Sequence, residues 1–128
     1  DDQVGVLEGW GGMYALELSP YGICGLMPGL APADLLARIW QLEHGGGSDA
    51  ALDLFQVLLP QLLFSLQNME LFLHIEKRLL VNRGLLVEAT VRSPTFTPTV
   101  ELLSYGDRLN HRVIQALNRC GLPHAPGV

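Results

Sequence analysis

Apolar and polar positions change rhythm once along this chain, near residue 30. Before that point, Val4-Gly5-Val6-Leu7 and Ile23-Cys24-Gly25-Leu26-Met27 are short continuous apolar runs, closed by Gly9-Trp10-Gly11-Gly12 and by Pro28-Gly29. Runs of this length between glycine punctuation read as buried parallel strands, whose two faces both meet other elements. Residues 13–18 between them read as a short helix that Ser19-Pro20 should stop, since proline cannot continue the backbone ladder. Strand, glycine loop, helix and strand in that order predict a βαβ unit with a compact crossover.

Beyond Gly29 the pattern turns helical. Leu35, Leu36, Ile39, Trp40 and Leu42 form a stripe over residues 33–44, with Pro32 suited to the first turn and Gly45-Gly46-Gly47 ending it. Ser48 or Asp49 is the expected cap of the next helix, which carries Leu52, Phe55, Leu58, Leu59, Leu62, Leu63 and Leu66; Pro60 should bend or divide it. Met69, Phe72, Leu73, Ile75, Leu79 and Leu80 make a third stripe ending near Arg83-Gly84. Residues 90–99, with Pro94 and Pro98, predict an extended linker, and residues 101–119 a last helix closed by Gly121-Leu122-Pro123. The expected organisation is lopsided: two strands, then four helices. Two parallel strands leave open edges, so the front of the chain reads as the closing part of something larger.

Composition narrows the function classes. The 128 residues are 48% hydrophobic and 16% charged, as in a globular domain, and the net charge of −5 argues against a nucleic-acid groove or an anionic membrane surface as partner. No apolar run approaches the roughly 18–20 residues of a membrane helix. The first residues, Asp1-Asp2, lack the basic start of a secretory signal, and a cytoplasmic location is expected. Because the chain opens on Asp1 and not Met, a processed, excised or incompletely recorded sequence is also expected. Cys24 and Cys120 have no metal or redox spacing, and Cys24 reads as a buried reduced thiol.

Three strings in order, Val6-Leu7-Glu8-Gly9-Trp10-Gly11-Gly12, Gly22-Ile23-Cys24-Gly25-Leu26-Met27-Pro28-Gly29 and Leu35-Leu36-Ala37-Arg38-Ile39-Trp40, resemble the end of a barrel of the dihydrodipicolinate synthase / N-acetylneuraminate lyase family. Glu76-Lys77-Arg78-Leu79-Leu80-Val81-Asn82-Arg83-Gly84 followed by Val91-Arg92-Ser93-Pro94 resembles that family's helical C-terminal extension. The resemblance implies an α/β fold: the C-terminal part of a TIM (β/α)8 barrel, its last two strands, followed by a mostly α-helical extension. Residues 1–45 would be the last two β/α units and 46–128 the extension. A complete barrel takes about 250 residues.

The family's chemistry is that of class I aldolases. A barrel lysine condenses with the keto group of pyruvate or a related 2-oxo acid, and the iminium acts as the electron sink for carbon–carbon bond formation or cleavage. By the resemblance that lysine belongs to strand six, ahead of residue 1, so no catalytic residue is expected here and the chain alone is expected to be inactive. Lys77, between Glu76 and Arg78, reads as a surface charge on a helix. At the strand ends, the resemblance implies substrate contacts from Gly9, Trp10, Gly11, Leu26 and Met27, with Gly9 letting a ligand approach the main chain. The competing reading is that the glycines only make tight turns, that Met27 is core, and that Trp10 caps the barrel end. Gly11 and Gly12 stand where sialic-acid lyases carry two acidic residues, and Gly-Trp-Gly-Gly also departs from the Gly-Asp-Asp usual in lysine-pathway synthases.

Other chemistries lack a pattern. His44, His74, His111 and His124 have no metal-ligand spacing, no serine has a Gly-x-Ser-x-Gly context, and the glycine triplet follows a helix where a phosphate loop would precede one. No metal and no cofactor are expected. By the resemblance, the parent would act on a pyruvate-like 2-oxo acid and assemble as a dimer or tetramer. Two further readings compete with the lyase: an autonomous, non-enzymatic helical oligomerisation or binding module derived from that family, and an unrelated helical binding protein.

Overall fold

The computed structural model describes residues 4–122. Strand β1 (Leu7–Glu8) leads to helix α1 (Ala15–Leu18), a 3-10 turn (Ser19–Tyr21) and strand β2 (Gly25–Leu26); helices α2 (Ala33–His44), α3 (Ser48–Ser65), α4 (Met69–Asn82) and α5 (Val100–Arg119) follow. The strands pair in parallel, Leu7 opposite Gly25 and Glu8 opposite Leu26, so the expected βαβ unit forms. Both are shorter than the apolar runs suggested. They are also less buried: Val6 and Leu7 are exposed, Cys24 is exposed rather than enclosed, and in β1 it is Glu8 that is buried. The physical reason is that no described element of the chain packs over these positions.

The crossover differs in one detail. Pro20 does not end helical geometry; it sits in the 3-10 turn, whose first positions need no backbone donor, and Gly22 in the left-handed region ends the turn.

The four long helices match their predicted spans closely, and their cores differ from the predicted stripes. In α3, Ala51, Phe55, Leu58 and Leu62 are buried, whereas Leu52 and Leu63 face solvent. The register is set by which side meets α2 and α5, the two helices against which α3 packs most extensively. Pro60 does not divide α3, and Gly47, not Ser48 or Asp49, occupies its N-cap position. In α4 the buried line is Leu71, Ile75 and Leu79 at four-residue spacing, with Met69 and Leu73 on the open side. Asn68 caps α4 by accepting the Leu71 amide at 2.8 Å, and Thr99 caps α5 by accepting the Leu102 amide at 3.3 Å. Gly84 takes φ +69°, the αL conformation expected just past a helix end. At the end of α5, Gly121 is likewise left-handed, while Pro123 lies outside the described residues.

One apolar cluster joins all the long helices: Leu35, Leu36 and Ile39 from α2, Leu58 and Leu62 from α3, Leu79 and Leu80 from α4, and Val113 and Leu117 from α5. A second gathers Phe64, Leu71, Ile75 and Leu109. The extended linker is tied along α4. Lys77 Nζ donates to the Thr90 carbonyl at 2.6 Å, the His74 ring lies 3.1 Å from the Thr95 hydroxyl, and Glu70 accepts the Phe96 amide.

Candidate functional site

The glycine loop after β1 is built around a buried carboxylate. Glu8 accepts the Trp10 amide at 2.8 Å and the Gly12 amide at 2.7 Å, folding residues 9–12 over its side chain. Charge-assisted bonds of this kind hold a loop more firmly than neutral ones. Gly11 and Gly12 adopt φ of +69° and +88°, which other residues rarely accept. They also bring the loop hard against the helices: a Cβ on Gly11 would lie 2.8 Å from Leu66 Cδ1, and one on Gly12 2.7 Å from Leu36 Cδ1. The left-handed backbone makes glycine the fitting residue at both, and the two leucines pack directly against them.

Gly9 is different. Its φ lies outside the left-handed region, and a Cβ placed there would meet nothing within 4 Å. The backbone does not need glycine at this position; the space beside it is open.

That space belongs to a cavity of about 420 Å³ between the strand ends and the turn joining α3 to α4. Gly9, Trp10 and Gly11 line one side and Met27, Pro28 and Gly29 another. Leu66, Gln67, Asn68, Met69 and Phe72 complete it. Four of the five expected contact residues therefore come together. Leu26 does not line this cavity; it borders a separate apolar hollow beside Leu36 and Trp40. Trp10 and Met27 are more than half exposed, so neither is a core residue. The contribution of the α3–α4 turn was not read from the sequence, because a loop's position relative to a distant strand leaves no local pattern.

The loop after β2 is braced by charge. Glu76 on α4 accepts the Ala31 amide at 2.7 Å, while Arg83 donates to the Ala31 carbonyl and pairs with Asp34 on α2. Burial pushes the Glu76 carboxyl above its ordinary range, opposed by the amides of Ala31 and Leu30 and by the Arg83 charge. None of these groups lines the cavity. Lys77 does not line it either. Among the described residues no group of three or more His, Cys, Asp or Glu side chains is placed to hold a metal ion, and no helix is long and apolar enough to cross a membrane.

Comparison with known proteins bears on what surrounds this site. No protein-family model matches the chain, nor does any curated protein. Among solved structures it is similar to the dihydrodipicolinate synthase from Rhodopseudomonas palustris, with a TM-score of 0.78 and 28% identity. The match covers 87% of this chain and 36% of that one, a share consistent with a C-terminal portion of the enzyme. The chain thus spans about a third of the length of the protein it matches.

Proposed function

We propose that this chain, resembling part of a dihydrodipicolinate synthase, forms the closing wall of a class I, Schiff-base aldolase or lyase acting on a pyruvate-like 2-oxo acid. Residues 1–45 are its last two β/α units and 46–128 its helical extension. The observation that carries the reading is the open space at Gly9, at the C-terminal end of a parallel strand, where (β/α)8 enzymes hold their substrates. The edge of β1 away from β2, which has no strand beside it among the described residues, fits the place where further staves of a barrel would pair.

On this reading the chain positions and encloses; it does not supply the nucleophile. Gly9 leaves room for the substrate to reach the main chain, and Trp10 and Met27 keep water from the reacting centre. The reactive amine comes from the strand that by resemblance carries the Schiff-base lysine. Lys77, tied to the Thr90 carbonyl along the linker, has no part in it, and the chain alone is inactive. The assembled enzyme is a cytoplasmic dimer or tetramer.

The test is reductive trapping. The chain is co-expressed with a polypeptide carrying the first six β/α units of a dihydrodipicolinate synthase and treated with pyruvate and borohydride. Label is expected on the six-unit polypeptide only when this chain is present, and none on this chain. Trapping at Lys77 would overturn the assignment of roles.

A second reading, an autonomous helical oligomerisation module, draws on the apolar cluster that joins α2 to α5, most of whose buried members come from those four helices. Cooperative melting and a discrete oligomer of the 128-residue chain, together with failure to complement the six-unit polypeptide, would favour it.

A further inference from the structure

Among the described residues the lining of the cavity carries no ionisable side chain: Trp10, Met27, Met69 and Phe72 supply its apolar surface, and the amides of Gln67 and Asn68 its side-chain polarity. The two glycine walls are each backed by a carboxylate. Behind Gly11, Glu8 holds the amides of Trp10 and Gly12. Behind Gly29, the Glu76 carboxylate is so close that an added Cβ would lie 2.5 Å from Oε1. An anionic group entering here would lose water, meet no cation in the lining, and approach two buried acids. An aromatic or branched alkyl group would find apolar surface and two sulfur-bearing side chains that adapt to its shape.

We infer that this cavity selects an uncharged, apolar group on the substrate, so that the enzyme of the proposed reading handles 2-oxo acids extended by an aromatic or branched alkyl substituent, with the α3–α4 turn as selector. The 2-oxo acid end of that substrate rests on the lyase reading; the preference for an uncharged group rests on the cavity alone. The Asn68 carbonyl oxygen is committed to the Leu71 amide, which leaves its NH2 group as a donor for a hydroxyl or carbonyl on that substituent.

The test is a titration of the isotope-labelled 128-residue chain with acetophenone and, separately, with succinate, followed by the amide resonances of Gly9 and Gly11 and the side-chain amide of Asn68. Acetophenone is expected to shift all three saturably while succinate leaves them in place. Met69→Lys, at a largely exposed position the fold tolerates, is expected to bind succinate about tenfold more tightly than the parent chain does. Equal or larger shifts with succinate on the unaltered chain would overturn the inference, as would acetophenone shifts confined to the hollow beside Trp40. Acetophenone binding without complementation in the trapping experiment would sink the lyase reading and leave the cavity's preference standing. Complementation with charged substrates favoured over aromatic ones would do the reverse.

Discussion

Gly29 lies so close to the Glu76 carboxylate that any side chain there would collide with it: a Cβ would sit 2.5 Å from Oε1 and 2.8 Å from Oε2. Glu76 cannot easily retreat, because it is buried and holds the Ala31 amide. Gly29→Ala should therefore break that hydrogen bond or push α4 outward, costing about 1–3 kcal/mol. Urea unfolding of the variant measures this, and an unchanged midpoint would show that the contact is soft.

Glu76 also gives the stability a pH signature. Its folded-state pKa is raised from 4.5 by burial, so the folded state holds the proton more tightly than the unfolded chain does. The stabilisation from that proton is complete below pH 4.5 and is lost as pH rises through the raised value. Relative to Glu76→Gln, whose amide does not titrate, the parent chain is expected to lose stability as pH climbs through this window. Parallel pH curves for the two proteins would contradict it.

The arginine pairs made by Arg78 in α4 and by Arg83 at its C-cap should differ sharply in cost. Arg78 and Asp107 form a two-pronged pair, with about a third of each side chain exposed, and solvent screens it. Asp107→Asn should cost no more than about 1 kcal/mol and less in high salt. Arg83 is buried, and Arg83→Met leaves the carboxylates of Asp34 and Glu76 without their cation, at a cost of about 3–5 kcal/mol. Arg83→Lys is expected to recover little of this, since an ammonium cannot bridge the Ala31 carbonyl and both Asp34 oxygens as the guanidinium does. Thermal melts at two salt concentrations separate the cases.

Gly106 sits inside α5, where alanine would ordinarily gain up to about 1 kcal/mol. Here a Cβ would lie 2.4 Å from Ile75 Cδ1 and 3.3 Å from Phe64 Cε1, at the meeting of α3, α4 and α5. Overpacking of about 1–3 kcal/mol outweighs the propensity, so Gly106→Ala should lower the melting temperature. A rise would mean that the second apolar cluster yields easily.

Gly9→Ala should do the opposite. With open space beside it and an ordinary φ, the variant is expected to be as stable as the parent or more stable by about 0.4–1 kcal/mol, while losing ligand from the cavity. Retained acetophenone binding at unchanged affinity would show that the space beside Gly9 is not used.

What could be read from the residues alone was local. Apolar spacing placed the long helices, Gly84 marked the end of α4, and glycine punctuation revealed the parallel pair, because each depends on backbone preferences and side-chain period within a few residues. Burial within an element was less legible: Leu52 and Leu63 fit the helical stripe of α3 as well as Phe55 and Leu58, and only contact with α2 and α5 decided between them. The site lay further out of reach. Glu76 and Arg83 gripping a residue 45 and 52 positions earlier, and the α3–α4 turn facing Gly9, are meetings between distant parts of the chain. Periodicity is set by neighbours in sequence. The cavity is set by neighbours in space, and only the packing of the helices on the strand pair brings those together.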